Sequence, residues 1–392
     1  MNLARKLVKA KAQSRTYQQS PFRIDYSHSD LLRLNLNENL VLPKRFASSI
    51  IKENLNHLDP RAYPSELEYG EILELRKQIA KYCCCSADSV ALGSGSDQAI
   101  DLLFRVRLRR TSDRVIINGP TFSMYEILAT RLGSTVAFVS TRGSRDDGQG
   151  PFSLDLSKLS DLCRKSDATK IVVIASPNNP TAIQYPLEQI ESLVSLFPRI
   201  TFLLDEAYVE YGDYNAAQLI DKYPNLVVAR TFSKAFGLAS FRIGYLVSSD
   251  IKLIEKINKE TQYPYPVTSL SARVATGMLR LKEVVLYYAE RTKNLRQKLI
   301  QSLAGFGNRC NHKSAKKGTN SFRTIEPSYT NFVLVQSPNA RKIAGTLLSK
   351  YGIAVKYLPR LGAESEFLRI TVGTDQMNQR LLQALHRIYA AN

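Results

Sequence analysis

The sequence predicts an α/β fold in which a large domain surrounds a mostly parallel sheet flanked by helices, with a smaller α+β domain attached. Two observations carry this expectation. From about Asp88, short β-branched or apolar runs alternate with longer helical stretches, and each run ends in polar, loop-forming residues. Beyond about Pro264 the order changes to long helices, two strand-like runs and a final helix. A chain of 392 residues, 44% of them hydrophobic, is long enough to bury two cores.

Residues 1–25 read as a basic arm, since Arg5, Lys6, Lys9, Lys11, Arg15 and Arg23 all precede the first acid, Asp25. Such a segment has the look of an amphipathic transit peptide, but a dimerisation arm is the reading preferred here. Residues 26–57 are assigned to the small domain and 58–264 to the large one. In the large domain "SVALGSGS" precedes the helical "DQAIDLLFRVRL", and "DRVIING" precedes "TFSMYEILATRLG". "KIVVIASPNNP" precedes "LEQIESLVSLF", and "ITFLLDEAY" is followed further on by "NLVVARTFSK". Residues 265–392 form the rest of the small domain, from the helical run starting at Ser269 to the strand-like "TNFVLVQ" and "FLRITVG" and a last helix. Within it "GFGNRCNHKSAKKGTN" reads as a flexible insertion, and the basic stretch 306–323 carries Arg309, Lys313, Lys316, Lys317 and Arg323.

Composition narrows the function. No run of about 18 apolar residues marks a membrane span, and the N-terminus lacks the apolar core of a secretory signal. The five cysteines, three of them adjacent at Cys83, Cys84 and Cys85, suit reduced thiols in the cytoplasm better than a disulfide framework. No CxxC or HExxH occurs, so no metal site is expected. The net charge of +19 attracts nucleic acid, anionic surfaces and phosphorylated metabolites alike. No helix-turn-helix or zinc motif accompanies it, so a nucleic-acid binder with a vestigial enzyme core is the lesser reading.

Ligands of open α/β sheets bind beyond the carboxyl ends of the strands. The polar tails there are "GSGSD" (93–97), "SPNNPTA" (176–182), "DEAY" (205–208) and "TFSKAFGLASFRIGY" (231–245). Pyridoxal 5′-phosphate needs a lysine, an anion cradle, a carboxylate facing its pyridine nitrogen and hydrogen bonds to its phenolic oxygen, and these tails offer a candidate for each. The amides of Ser96 and Asp97, at an expected helix start, suit a phosphate, and Thr231 and Ser233 add hydroxyls.

With these motifs in order, from "LNLNEN" (34–39) to "LRITVGT" (368–374), the chain resembles the fold-type I pyridoxal-phosphate aminotransferases, and among them the histidinol-phosphate aminotransferases. The resemblance implies a large domain with a seven-stranded sheet and a homodimer with shared active sites. Lys234 would hold the cofactor as a Schiff base and then shuttle a proton. Asp205 would face the pyridine nitrogen, and Tyr208 and Asn179 would bond the phenolic oxygen. Phe122 would stack on the ring, Arg242 would bind the phosphate, and Tyr63 would reach the phosphate in the neighbouring subunit.

Arg369 would clamp an acidic group of the substrate, with Asn179 beside it. Where the family has a second arginine, thirteen residues before that clamp, this chain has Lys356. It also has Leu40 for the usual proline, Ala182 and Ser240 for glycines, and "PYPVTS" for "PYNVNS". The expected reaction is transfer of the amino group of histidinol phosphate to 2-oxoglutarate. An aromatic or broad-specificity aminotransferase and a threonine-phosphate decarboxylase remain as alternatives.

Overall fold

The structure, a computed structural model, describes residues 21–27, 30–141, 152–261, 265–313, 322–361 and 364–390. Most of the basic arm and residues 314–321 of the second basic stretch therefore lie outside the described residues. The chain runs through β1 (Leu32–Leu34), α1 (Lys44–Leu55), α2 (Glu71–Cys83), β2 (Val90–Gly93), α3 (Ser96–Arg107), β3 (Arg114–Gly119), α4 (Met124–Arg131) and β4 (Thr135–Ser140). It continues with α5 (Leu156–Arg164), β5 (Thr169–Ala175), α6 (Leu187–Leu196), β6 (Thr201–Asp205), β7 (Leu226–Thr231), β8 (Gly244–Val247) and α7 (Ile251–Lys256). The C-terminal part comprises α8 (Ser269–Arg280), α9 (Lys282–Lys313), β9 (Arg323–Ile325), β10 (Phe332–Gln336), α10 (Ala340–Tyr351), β11 (Ile353–Leu361), β12 (Glu364–Thr371) and α11 (Asp375–Ala390).

The large sheet has seven strands in the order β2-β8-β7-β6-β5-β3-β4. The pairs from β7 to β4 are parallel, with Val172 opposite Phe202 and Leu203 opposite Val227. Strands β6 and β7 are buried along their whole length, as expected of near-continuous Val/Leu/Phe runs covered on both faces. On the edge, β4 is largely solvent-facing. Strand β8 runs antiparallel to both β7 and β2, a reversal that the alternating pattern of the sequence did not announce. Several helices begin on side-chain caps: Asp155, Asp250 and Thr268 accept the N–H groups of Lys158, Leu253 and Ser271.

The small sheet is ordered β1-β11-β12-β10-β9, with β1 parallel to β11 and the other pairs antiparallel. One core lies between its outer face and α9, α10 and α11, with Leu299, Ile343, Leu347, Leu368 and Leu385 buried. A second fills the space between α3, α4, α7 and one face of the large sheet. The third covers the other face and continues to Phe332 and Phe367 of the small sheet. Ile50 of α1 and Val274 and Met278 of α8, from segments assigned to the small domain, also belong to this third core. The boundary at 264/265 adjoins residues 262–264, which lie outside the described residues. Helix α9 runs on to Lys313, so the part of the expected insertion before 314 is helical backbone. Among the described residues no helix is long and apolar enough to cross a membrane.

A buried ion pair ties β6 to β7 just behind their carboxyl ends. Arg230 donates from Nε and Nη2 to Glu206 Oε2 at 2.9 and 2.7 Å, and from Nη2 to Asn215 Oδ1 at 3.1 Å. Glu206 Oε1 accepts the N–H of Ala216 at 2.6 Å. Removing one partner strands the other charge in a low-dielectric interior. Glu206→Ala is therefore expected to lower the unfolding free energy by about 3–5 kcal/mol, read from denaturant unfolding. Lys222→Ala, which breaks an exposed pair with Glu191, should shift the same curve far less.

Candidate active site

The carboxyl ends of β2, β3, β5, β6 and β7 lie along one edge of the large sheet, and the segments that follow them line a single cavity. Ser96 and Asp97 follow β2, Phe122 follows β3, and Asn179 follows β5. Asp205 ends β6 with Tyr208 three residues on, and Thr231 ends β7 with Ser233 and Lys234 behind it. Because β8 runs the opposite way, its entry rather than its exit lies at this edge, which brings Arg242 to the same cavity.

One end of the cavity is built for an anion. Helix α3 starts at Gly95, with φ of +83° and no side-chain cap, leaving the first-turn amides open to the cavity side. A Cβ at Gly95 would come within 2.3 Å of Arg242 Nη2, and one at Gly244 within 2.1 Å of the Ser96 nitrogen, so these glycines allow the close approach. Arg242 itself has φ of +51° and places Nη1 3.5 Å from Ser233 Oγ and 3.2 Å from the Ala239 carbonyl. Its Nη2 is 3.6 Å from the Asp97 carboxylate. Thr231 Oγ1 accepts the Ser233 N–H at 3.1 Å and donates to Ser233 Oγ at 3.1 Å.

At the other end sits Asp205, buried to 5% exposure. Its Oδ2 accepts from the Tyr125 hydroxyl at 2.6 Å and its Oδ1 from the Ala207 N–H at 2.9 Å. Burial pushes its carboxyl up from 3.8 to about 6, against the lowering effect of these two donors. A buried carboxylate held this way favours a cation opposite it. Phe122 meets Tyr125 edge to face, with centroids 5.9 Å apart.

Between the two ends, the Lys234 ammonium lies 5.4 Å from the centre of the Tyr208 ring and donates to the Asn37 carbonyl at 3.4 Å. The Tyr208 hydroxyl accepts from Asn37 Nδ2 at 3.0 Å. Asn179 Oδ1 accepts from Arg369 Nη1 at 2.6 Å, while Arg369 Nη2 donates to the Asn35 carbonyl at 2.8 Å. The Arg369 guanidinium lies over Phe332, and its buried Nε has no hydrogen-bond partner among the described residues. Lys356 is directly opposite Arg369 across the β11–β12 register, and burial, then the Arg369 charge, push its amine down to about 8.

Ten of the residues singled out from the sequence thus line one cavity, Arg369 adjoins it through Asn179, and Lys356 stands opposite Arg369 on the neighbouring strand. Tyr63 stands apart from it: it is 78% exposed and stacks on Tyr265 at 4.9 Å. Sequence reasoning passed over Tyr125 and Asn37. Both lie inside motifs already quoted, "GPTFSMY" and "LNLNEN", but their partners Asp205 and Tyr208 are far away in the chain.

A family model described as aminotransferase class I and II matches residues 29–385. The chain belongs to this family. Histidinol-phosphate aminotransferase 1 of Legionella pneumophila (strain Lens) is 32% identical over 334 residues, covering 85% of this chain and 83% of the relative. The histidinol-phosphate aminotransferase of Sinorhizobium meliloti, solved in complex with pyridoxal 5′-phosphate, superposes with a TM-score of 0.79 at 23% identity, covering 95% of this chain and 96% of that one. The L-threonine-O-3-phosphate decarboxylase of Porphyromonas gingivalis shares the fold with a TM-score of 0.72 at 21% identity, covering 92% and 100%.

As a class I and II aminotransferase the protein is a pyridoxal-phosphate-dependent transaminase, and the cavity fits that cofactor. The uncapped helix start and Arg242 suit a phosphate, and the buried Asp205 suits a protonated ring nitrogen.

The raised Asp205 carboxyl has a stability consequence in the cofactor-free protein. The native state keeps this proton at pH values where the unfolded chain has lost it, so the contribution is present below about pH 4 and disappears as pH rises through about 6. Asp205→Asn should flatten that part of the stability profile in denaturant midpoints measured from about pH 4 to 7. A variant profile parallel to wild type would contradict the assignment.

Proposed function

We propose that the enzyme transfers the amino group of histidinol phosphate to 2-oxoglutarate, giving imidazole acetol phosphate and glutamate. The observation that carries this reading is the pair of cations Arg369 and Lys356, facing each other across β11 and β12 beside Asn179, where a substrate phosphate or carboxylate would sit. The names of the relatives point the same way.

When bound, the cofactor supplies a carbonyl that carries the amino group and a ring that absorbs the electrons released at the substrate Cα. Around it each side chain has a defined task. Lys234 Nζ would hold the cofactor, and its amine would move the proton at the substrate Cα. Asp205 holds the proton on the ring nitrogen, with Tyr125 fixing the carboxylate. Tyr208 donates to the phenolic oxygen. Asn179, whose Oδ1 is committed to Arg369, offers its amide hydrogens to the same oxygen. The Ser96 and Asp97 amides, Thr231, Ser233 and Arg242 hold the phosphate, and Phe122 covers the ring face.

In this reading the protein is a homodimer and Tyr63 completes the neighbouring subunit's phosphate site. Leu67 and Tyr69, close to it in sequence, and Tyr265, stacked on it, are exposed apolar side chains of the kind a subunit interface covers. The unpaired thiols of Cys83, Cys84, Cys85 and Cys163 suit the reducing cytoplasm. A second reading, an aromatic or broad-specificity amino-acid aminotransferase, is favoured by Lys356, because a lysine cannot grip a phosphate with the planar fork of an arginine.

Reconstituted wild type should show the visible band of the lysine-bound cofactor, and Lys234→Ala should lack it and lose nearly all turnover. Histidinol phosphate should bleach the band, and 2-oxoglutarate should restore it. Bleaching by aromatic amino acids alone would select the second reading, and release of carbon dioxide would indicate decarboxylation. With the Lys356 amine at about 8, the KM for histidinol phosphate should rise as pH passes that value, since the neutral amine no longer attracts phosphate. Lys356→Arg should abolish this rise and lower KM about tenfold at high pH.

A further inference from the structure

Asn37 occupies a place that neither its type nor its position explains as packing. It is 1% exposed and held at φ of +56°, in the left-handed region that asparagine tolerates better than most side chains. Five hydrogen bonds converge on it. Its N–H donates to Thr371 Oγ1 at 3.0 Å, and that hydroxyl donates back to Asn37 Oδ1 at 3.4 Å. Its carbonyl accepts from Asn331 Nδ2 at 3.1 Å and from the Lys234 ammonium at 3.4 Å. Its Nδ2 donates to the Tyr208 hydroxyl at 3.0 Å.

The directions of these bonds form one self-consistent set. Thr371 Oγ1 accepts the backbone N–H and gives its own proton to Asn37 Oδ1, which turns the amide NH2 the other way. The amide NH2 then faces Tyr208, so the tyrosine oxygen accepts from Asn37 and its own proton is left to point into the cavity.

We propose that Asn37 is a positioning residue of the active site, orienting the Tyr208 hydroxyl as a donor toward the cofactor's phenolic oxygen and giving the Lys234 amine an acceptor at its carbonyl. The inference rests on the transaminase reading of the same cavity. It also makes the small sheet part of the cofactor site, since Thr371 on β12 sets the orientation of the amide.

The test is the pH titration of the visible band in the holoenzyme. Asn37→Asp keeps size and shape but presents only acceptors, so the Tyr208 proton turns toward it and away from the cofactor. The band midpoint should rise by about one pH unit, the scale of one lost hydrogen bond to a charged form, and kcat should fall about tenfold. Tyr208→Phe should raise the midpoint similarly, and adding Asn37→Asp to it should change nothing further. Asn37→Gly, which accepts the positive φ and keeps the carbonyl, should give a smaller rise, since nothing then draws the proton away. Both variants titrating at the wild-type midpoint would overturn the proposal, as would an Asn37→Asp shift that persists in the Tyr208→Phe background. If Asn37→Asp does not fold, an Asn37→Gly midpoint equal to wild type overturns it as well. A wild type that forms no visible band overturns the transaminase reading, whereas a band insensitive to Asn37 overturns this inference alone.

Discussion

The polarity of the strands in the large sheet is the constraint on which the site depends. Parallel strands linked by crossover helices deliver every loop after a strand to the same edge, and at that edge backbone groups that leave the ladder need polar partners. Residues separated by more than a hundred positions, from Ser96 to Thr231, therefore meet with no contact between them along the chain. The single reversal at β8 serves the same end. It brings the start of a strand to the edge, and Arg242 arrives eight residues after Lys234 rather than after another crossover.

Placing a carboxylate at the buried end of such a cleft is costly, and the structure meets that cost locally. Asp205 is removed from water, yet Tyr125 and the Ala207 amide donate to it. Directly behind it, on the opposite face of β6 and β7, Glu206 and Arg230 neutralise each other. Side chains alternate along the strand, so the front of the sheet carries the groups that meet the cofactor and the back carries a pair that fixes their spacing. The Glu206 charge still reaches Asp205 and adds to the upward push of burial.

Much of this was legible in the sequence because the signals are local. A β-branched run followed by "SPNNP" or "DEAY" announces both the strand and its polar exit, and a lysine embedded in "TFSKAFGLASFRIGY" announces chemistry once the other exits are read beside it. What was not legible depends on partners. Strand β8 is a short, fully buried run like the parallel strands of the sheet, and direction is not encoded in a period of two. Tyr125 reads as the buried face of a helix, and only the position of Asp205 gives its hydroxyl a task. The third core is shared by segments assigned to different domains because an amphipathic helix such as α8 packs wherever its apolar face finds surface, here on α1 and α2.

The segment from Asn35 to Asn39 shows how the two sheets act as one site. Arg369 and Thr371 stand two residues apart on β12, hence on the same face, and bond Asn35 and Asn37 respectively. From the large domain, Lys234 bonds Asn37, and the Ala235 carbonyl accepts from Asn39 Nδ2 at 2.8 Å. The residue proposed to grip the substrate anion and the residue proposed to carry out proton transfer are therefore joined through three residues of main chain, Asn35 to Asn37. Thr371 on β12 holds Asn37, whose amide and carbonyl in turn meet Tyr208 and Lys234, so the small sheet helps set the geometry of the reacting end.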